Sequence, residues 1–150
     1  MLNDSLKARG VLQLTLIDEA GNIKSHDTHN LVVNTGLAYI ASRMKDTSST
    51  AMTHMGIGSG TAAAAAADVG LGSQLARVVL DSTSIVTTTV TSDSVQYVST
   101  FTAGTGTGAV TEAGIFNAST AGTLLCRTVF PVINKGALDT LVITWKVTVA

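Results

Sequence analysis

In the segment DTLVITWKVTVA, residues 139–150, side chains alternate with a period of two. Leu141, Ile143, Trp145, Val147 and Val149 fall on one side, and Val142, Thr144, Lys146 and Thr148 on the other. A helix cannot hold such a set on one face, whereas a strand with one buried face requires it. The same grammar runs upstream from Gln74 through ARVVLDS, SIVTTTVTS, SVQYVSTFTAG, AVTEAGIFNAS and GTLLCRTVFPVI, each bounded by Gly, Ser, Asp or Asn turns. Short strands with frequent turns define an all-β fold, an antiparallel β-sandwich or barrel. Within it Trp145 is expected in the core, because aromatics in regularly alternating strands fill cores. Pro131 lacks the N–H a ladder needs, so the strand TVFPVI has to lie at an edge or break there. TAGTGTGA, residues 102–109, reads as a hairpin tip whose glycines admit positive φ.

The N-terminal half begins with a strand over residues 8–17, with Leu12, Leu14 and Leu16 on one side. DEAGN, residues 18–22, supplies hairpin turn chemistry, and IKSHDTHNLVV returns as the partner strand. Asp18, Glu19 and Asn22 could hold a cation, but a solvated turn is the simpler reading. One short helix is expected from Thr35 to Lys45, capped by Asn34 or Thr35, with Leu37, Ile40, Ala41 and Met44 packed on the sheet. DTSST, residues 46–50, ends it and leads to a short strand in MTHMGIG. Residues 58–72, GSGTAAAAAADVGLG, read as a surface loop with one helical turn, since six alanines are too few to repay helix nucleation.

At 150 residues and a formal net charge of −1, the chain has the size of one domain. The expected division is an N-terminal arm, residues 1–7, followed by a single β-rich domain, residues 8–150. Its nine basic residues are scattered, which leaves no electrostatic footprint for nucleic acid or an anionic membrane. Only 13% of residues are charged, against roughly 25% in ordinary soluble domains, and Thr, Ser, Ala and Gly abound. Such a surface suits an assembly better than a free monomer. Cys126 is the single cysteine, set in an apolar strand, and reads as a buried thiol. MLNDSLKARG has no signal-peptide core, so synthesis in the cytoplasm is expected.

No catalytic constellation emerges, and no cofactor or metal is expected. His26 and His29 flank Asp27, and His54 lies apart, without H-E-x-x-H or a Cys partner pattern. GSGT is superficially like a phosphate-cradling loop, but the Lys and spacing of the P-loop are missing. Glu112, in VTEAGIF, is unusual as a carboxylate within an apolar strand. Its reading is a polar strand edge or an ion pair, with Arg127 or Arg77 as partner. The chain is expected to bind rather than to turn over a substrate.

Taken in order, NLVVNTGLAYIASRM, MGIGSGT, LGSQLAR, TEAGIFNA and FPVINKGALDTLVITWKV resemble small virion proteins of tailed bacteriophages, of the capsid decoration (cement) or tail-fibre-like kind, over residues 8–149. The resemblance implies a β-sandwich or barrel that forms homo-oligomers, commonly trimers, on the outer surface of a particle. It implies the major capsid protein or another virion structural protein as partner. Because no repeat or heptad run supplies a fibre shaft, head decoration is preferred to a tail-fibre, collar or baseplate role. A carbohydrate-binding β-sandwich is the third reading, though only six aromatics are present. Partner-binding residues are sought in the arm: Leu2 and Leu6 as apolar anchors, Asp4 and Lys7 as rim contacts.

Overall fold

The structure, a computed structural model, describes residues 5–45 and 50–149. β1 (Ala8–Ile17) and β2 (Ile23–Val32) form the expected hairpin, pairing from Gly10 with Asn30 to Ile17 with Ile23. The turn closes through Asp18, whose carboxylate accepts from the Asn22 amide nitrogen at 2.8 Å and from Asn22 Nδ2 at 2.9 Å. Helix α1 (Asn34–Met44) follows, then β3 (His54–Gly58), β4 (Gln74–Val79), β5 (Ser82–Val86), β6 (Ser94–Phe101), β7 (Gly108–Phe116), β8 (Leu124–Lys135) and β9 (Thr140–Val149). Among the described residues these strands make one antiparallel sheet in the order β4-β3-β7-β8-β2-β1-β9-β6-β5. The sheet curls into an open half-barrel with the short helix packed against it.

Two corners produce the curl. At one, β2 pairs with β8 only through Leu31 with Arg127 and Val32 with Cys126, and the two strands then part. At the other, the chain passes from β4 to β5 across Leu80 and Asp81. The Leu80 amide donates to the Thr53 carbonyl at 2.8 Å, and the Asp81 amide donates to the Val98 carbonyl at 2.7 Å. The two edge strands of the sheet are therefore one stretch of chain that changes neighbours midway, as at sandwich and barrel corners.

The concave face holds the core. Leu12, Leu14, Ile57, Phe101, Ile115, Leu141, Ile143 and Trp145 have no exposed surface. Cross-strand pairing sets Tyr97, Trp145 and Leu12 in one row. Trp145 thus occupies the expected place, and its buried indole N–H donates to Asn30 Oδ1 at 3.2 Å. Cys126 is likewise enclosed, and burial pushes its thiol well above the ordinary value. Pro131 marks a break in the pairing of β8, which is not an edge strand. It lies in β8 beyond the short pairing with β2, where β8 also loses register with β7 between Val110 and Glu112. The 102–109 tip turns through Gly104, Gly106 and Gly108, all at positive φ.

Two segments depart from expectation. The helix presents a different face from the one its apolar spacing suggests. Leu37 and Met44 are 49% and 81% exposed and Ala41 is exposed, while buried Gly36 and half-buried Tyr39 and Ile40 face the sheet. Gly36 decides this, because a Cβ there would collide with the Leu125 carbonyl oxygen. The helix comes so close to β8 that only glycine fits. Nor do Asn34 and Thr35 cap the first amides. Val33 is the N-cap residue with no side-chain bond, and Thr35 Oγ1 donates to the Leu124 carbonyl at 2.8 Å.

The second departure concerns SIVTTTVTS, which is a strand only as far as Val86. The Asp93 carboxylate accepts from the amides of Thr88, Thr89 and Val90 at 2.8–2.9 Å and folds residues 87–93 into a turn. These bonds hold the carboxyl well below its ordinary value. An Asp collecting adjacent amides outcompetes the β preference of Thr and Val.

Candidate functional site

Two places combine unusual chemistry with a defined geometry. The first is centred on Glu112. β7 is buried along most of its length because both faces are covered. Val110, Ala113 and Ile115 enter the main core, while Phe116 joins Val33, Leu124 and Leu71 in a second, smaller cluster. Residues 59–73 lie over that second cluster as an irregular strap. Glu112 ties the strap down. Its Oε1 accepts from the amides of Gly60 at 2.8 Å and Ser73 at 2.7 Å, and its Oε2 from the amide of Gly72 at 2.8 Å.

Arg127, on the adjacent strand, completes the node. It donates to Glu112 Oε2 from Nε at 3.0 Å and from Nη2 at 2.8 Å. Its Nη1 donates to Asp68 Oδ2 at 2.7 Å, and Nη2 also donates to the Ala62 carbonyl at 3.0 Å. Glu112 is fully buried and Arg127 is 3% exposed. Burial disfavours the Glu112 charge, but the three amides and the guanidinium outweigh it and hold the carboxyl below its ordinary value. Burial also disfavours the charge on Arg127, and its two carboxylate partners more than compensate, raising its pKa.

Of the two partners foreseen for Glu112, Arg127 is the one found. Arg77 instead lies 3.5 Å from the Phe116 ring centroid and donates to the carbonyls of Ala118 and Ala121. The GSGT segment does contribute to an anion cradle, but the anion is internal: the Gly60 amide points at Glu112. With both oxygens of Glu112 occupied and no exposed surface, this node fastens the strap to β7 and β8.

The second place is the mouth of the half-barrel. Ile85, Val95 and Val147 form the next cross-strand row beyond Tyr97 and Trp145. Together with Val149, and with Tyr39 and Ile40 of α1 opposite, they line a largely apolar cleft of about 380 Å³, whose lining also includes Arg43. Ile85 is 70% exposed there. The cleft reaches the point where β1 begins, since Ala8 pairs with Val149.

The other candidates from the sequence do not converge. His26 and His29 are three residues apart on β2, so they project to opposite faces. His26 packs near Phe130 with ring centroids 6.5 Å apart, His29 is exposed, and His54 Nδ1 shares a 2.8 Å hydrogen bond with Thr53 Oγ1. Of the arm residues, Leu6 is 67% exposed and Lys7 is exposed, while Leu2 and Asp4 lie outside the described residues. The cleft carries no sequence motif; pairing Ile85 with Val95 on a short edge strand was the signal available. Comparison with protein-family models, with curated proteins and with solved structures finds no match.

Proposed function

We propose that this chain is a non-catalytic structural protein of a tailed-bacteriophage particle, a capsid decoration protein that binds the major capsid protein and stabilises the head. The observation that carries the reading is the placement of exposed apolar side chains on the two edge strands. Val79 of β4 and Ile85 of β5 are 63% and 70% exposed, and Ile85 lines the apolar cleft. Unprotected edges and apolar clefts on a sparsely charged chain favour burial against protein. The ordered resemblance to small virion proteins supports the same reading. On it, the curled sheet acts as a β-sandwich, with β2-β1-β9-β6-β5 facing β4-β3-β7-β8, and closed symmetry, trimeric by the resemblance, covers the edges.

Sugar binding has less support. Tyr97, Phe101, Phe116, Phe130 and Trp145 are buried, which removes them as stacking platforms. A decoration protein works by mass action, adding contact area that the expanded shell keeps only while it is intact. Virions lacking the chain should break at lower temperature and under milder osmotic shock than complete ones. Equal resistance of the two kinds of particle would count against a cementing role.

A further inference from the structure

We infer that the cleft between α1 and the end of β5, β6 and β9 receives the N-terminal arm of a second copy of this chain, with Leu6 as the seated anchor. The inference rests on the assembly reading above and specifies how copies join. The cleft offers apolar surface from Tyr39, Ile40, Ile85, Val95, Val147 and Val149, with Arg43 as the charged residue of its lining. A volume of about 380 Å³ suits one or two aliphatic side chains rather than a helix or a folded surface. It opens beside Ala8, so the arm leaves the domain at the lip of the cleft.

The phase of β1 bears on what the arm presents. Alternation places Ala8, Leu12 and Leu14 toward the core side, and continuing that phase upstream brings Leu6 to the same side. Yet within one chain the fit is not made. Leu6, two residues before Ala8, remains 67% exposed, and Ile85 in the cleft lining remains 70% exposed. Two complementary apolar groups left open in one copy are satisfied together when arms are exchanged between symmetry-related copies. Reciprocal exchange in a two-fold pair, or exchange around a closed ring, leaves no arm unpaired.

Cysteine cross-linking tests this on the full chain. Leu6→Cys is prepared in one sample, Ile85→Cys in a second and Ile23→Cys, at the distant β1–β2 turn, in a third. Cys126 stays in place because it has no exposed surface. Mild oxidation of mixed Leu6→Cys and Ile85→Cys chains should give a covalent heterodimer on a non-reducing gel, and the mixture with Ile23→Cys should not. Ile85→Asp should lose the oligomer in light scattering while keeping its circular dichroism spectrum. A disulfide formed only inside a Leu6→Cys/Ile85→Cys double variant, with no heterodimer from the mixture, would overturn exchange in favour of the chain's own arm. Oligomers without any of these cross-links would overturn the arm-in-cleft contact and leave the assembly reading standing. Monomers without cross-links would overturn both.

Discussion

Replacing Glu112 by Gln keeps the shape of the buried node and removes its charge, so the loss measures what the carboxylate does. Five donors converge on its two oxygens, two on Oε1 and three on Oε2. A Gln amide turns one acceptor into a donor, so either the Gly60 and Ser73 amides or the Gly72 amide and Arg127 face an N–H group. Each buried donor left without an acceptor costs about 1–3 kcal/mol. Breaking a buried ion pair from one side costs about 3–5 kcal/mol. Arg127 keeps Asp68, which is 24% exposed, so the lower end applies and a loss of about 3 kcal/mol is expected. For a chain of this length that is roughly 6–12 °C in melting temperature.

The assay is urea and thermal unfolding followed by circular dichroism. Its pH dependence follows from the depressed carboxyl. The advantage of wild type over Glu112→Gln should be complete above the ordinary value of 4.5 and shrink as pH falls below it toward the folded-state value. The double variant Glu112→Met/Arg127→Met adds a second constraint. Exchange of a buried pair for apolar residues is often neutral, but here the amides of Gly60, Gly72 and Ser73 would still lack an acceptor. The double variant should therefore remain clearly less stable than wild type. A loss below about 1 kcal/mol in Glu112→Gln, or a neutral double variant, would refute the idea that this carboxylate fastens the strap.

Three further outcomes follow from the packing. Gly36→Ala should destabilise by about 1–3 kcal/mol in urea unfolding, because the methyl meets the Leu125 carbonyl; a gain of about 1 kcal/mol, as helix propensity favours, would contradict the close approach. Trp145→Ala should lose about 3–5 kcal/mol, and native tryptophan emission should lie to the blue, shifting red on unfolding. Cys126 should resist a thiol reagent in the native protein and react once urea unfolds it, and rapid native labelling would contradict its enclosure.

The sequence makes the strands legible wherever burial on one face imposes a period of two. β9 and the β1–β2 hairpin lie where that alternation puts them, and Trp145 lies at its centre. β7 breaks the pattern, because the strap covers its second face and it reads as an apolar run with a stray carboxylate. That carboxylate signalled the node, and Arg127 was among its named partners. Its other partners are backbone amides, which any residue carries and no motif announces. The helix misled for a related reason. Periodicity finds an apolar stripe from side chains, but the contact face was set by Gly36, which has none. The Thr-rich run failed through Asp93, whose carboxylate gathers three consecutive amides and overrides local β propensity.

Antibody labelling of purified virions, imaged by electron microscopy, bears most directly on the proposal that this half-barrel is a head decoration protein. Label distributed over the head is the expected result. Label confined to the tail would contradict decoration, and particles that carry no label at all would contradict a place in the virion.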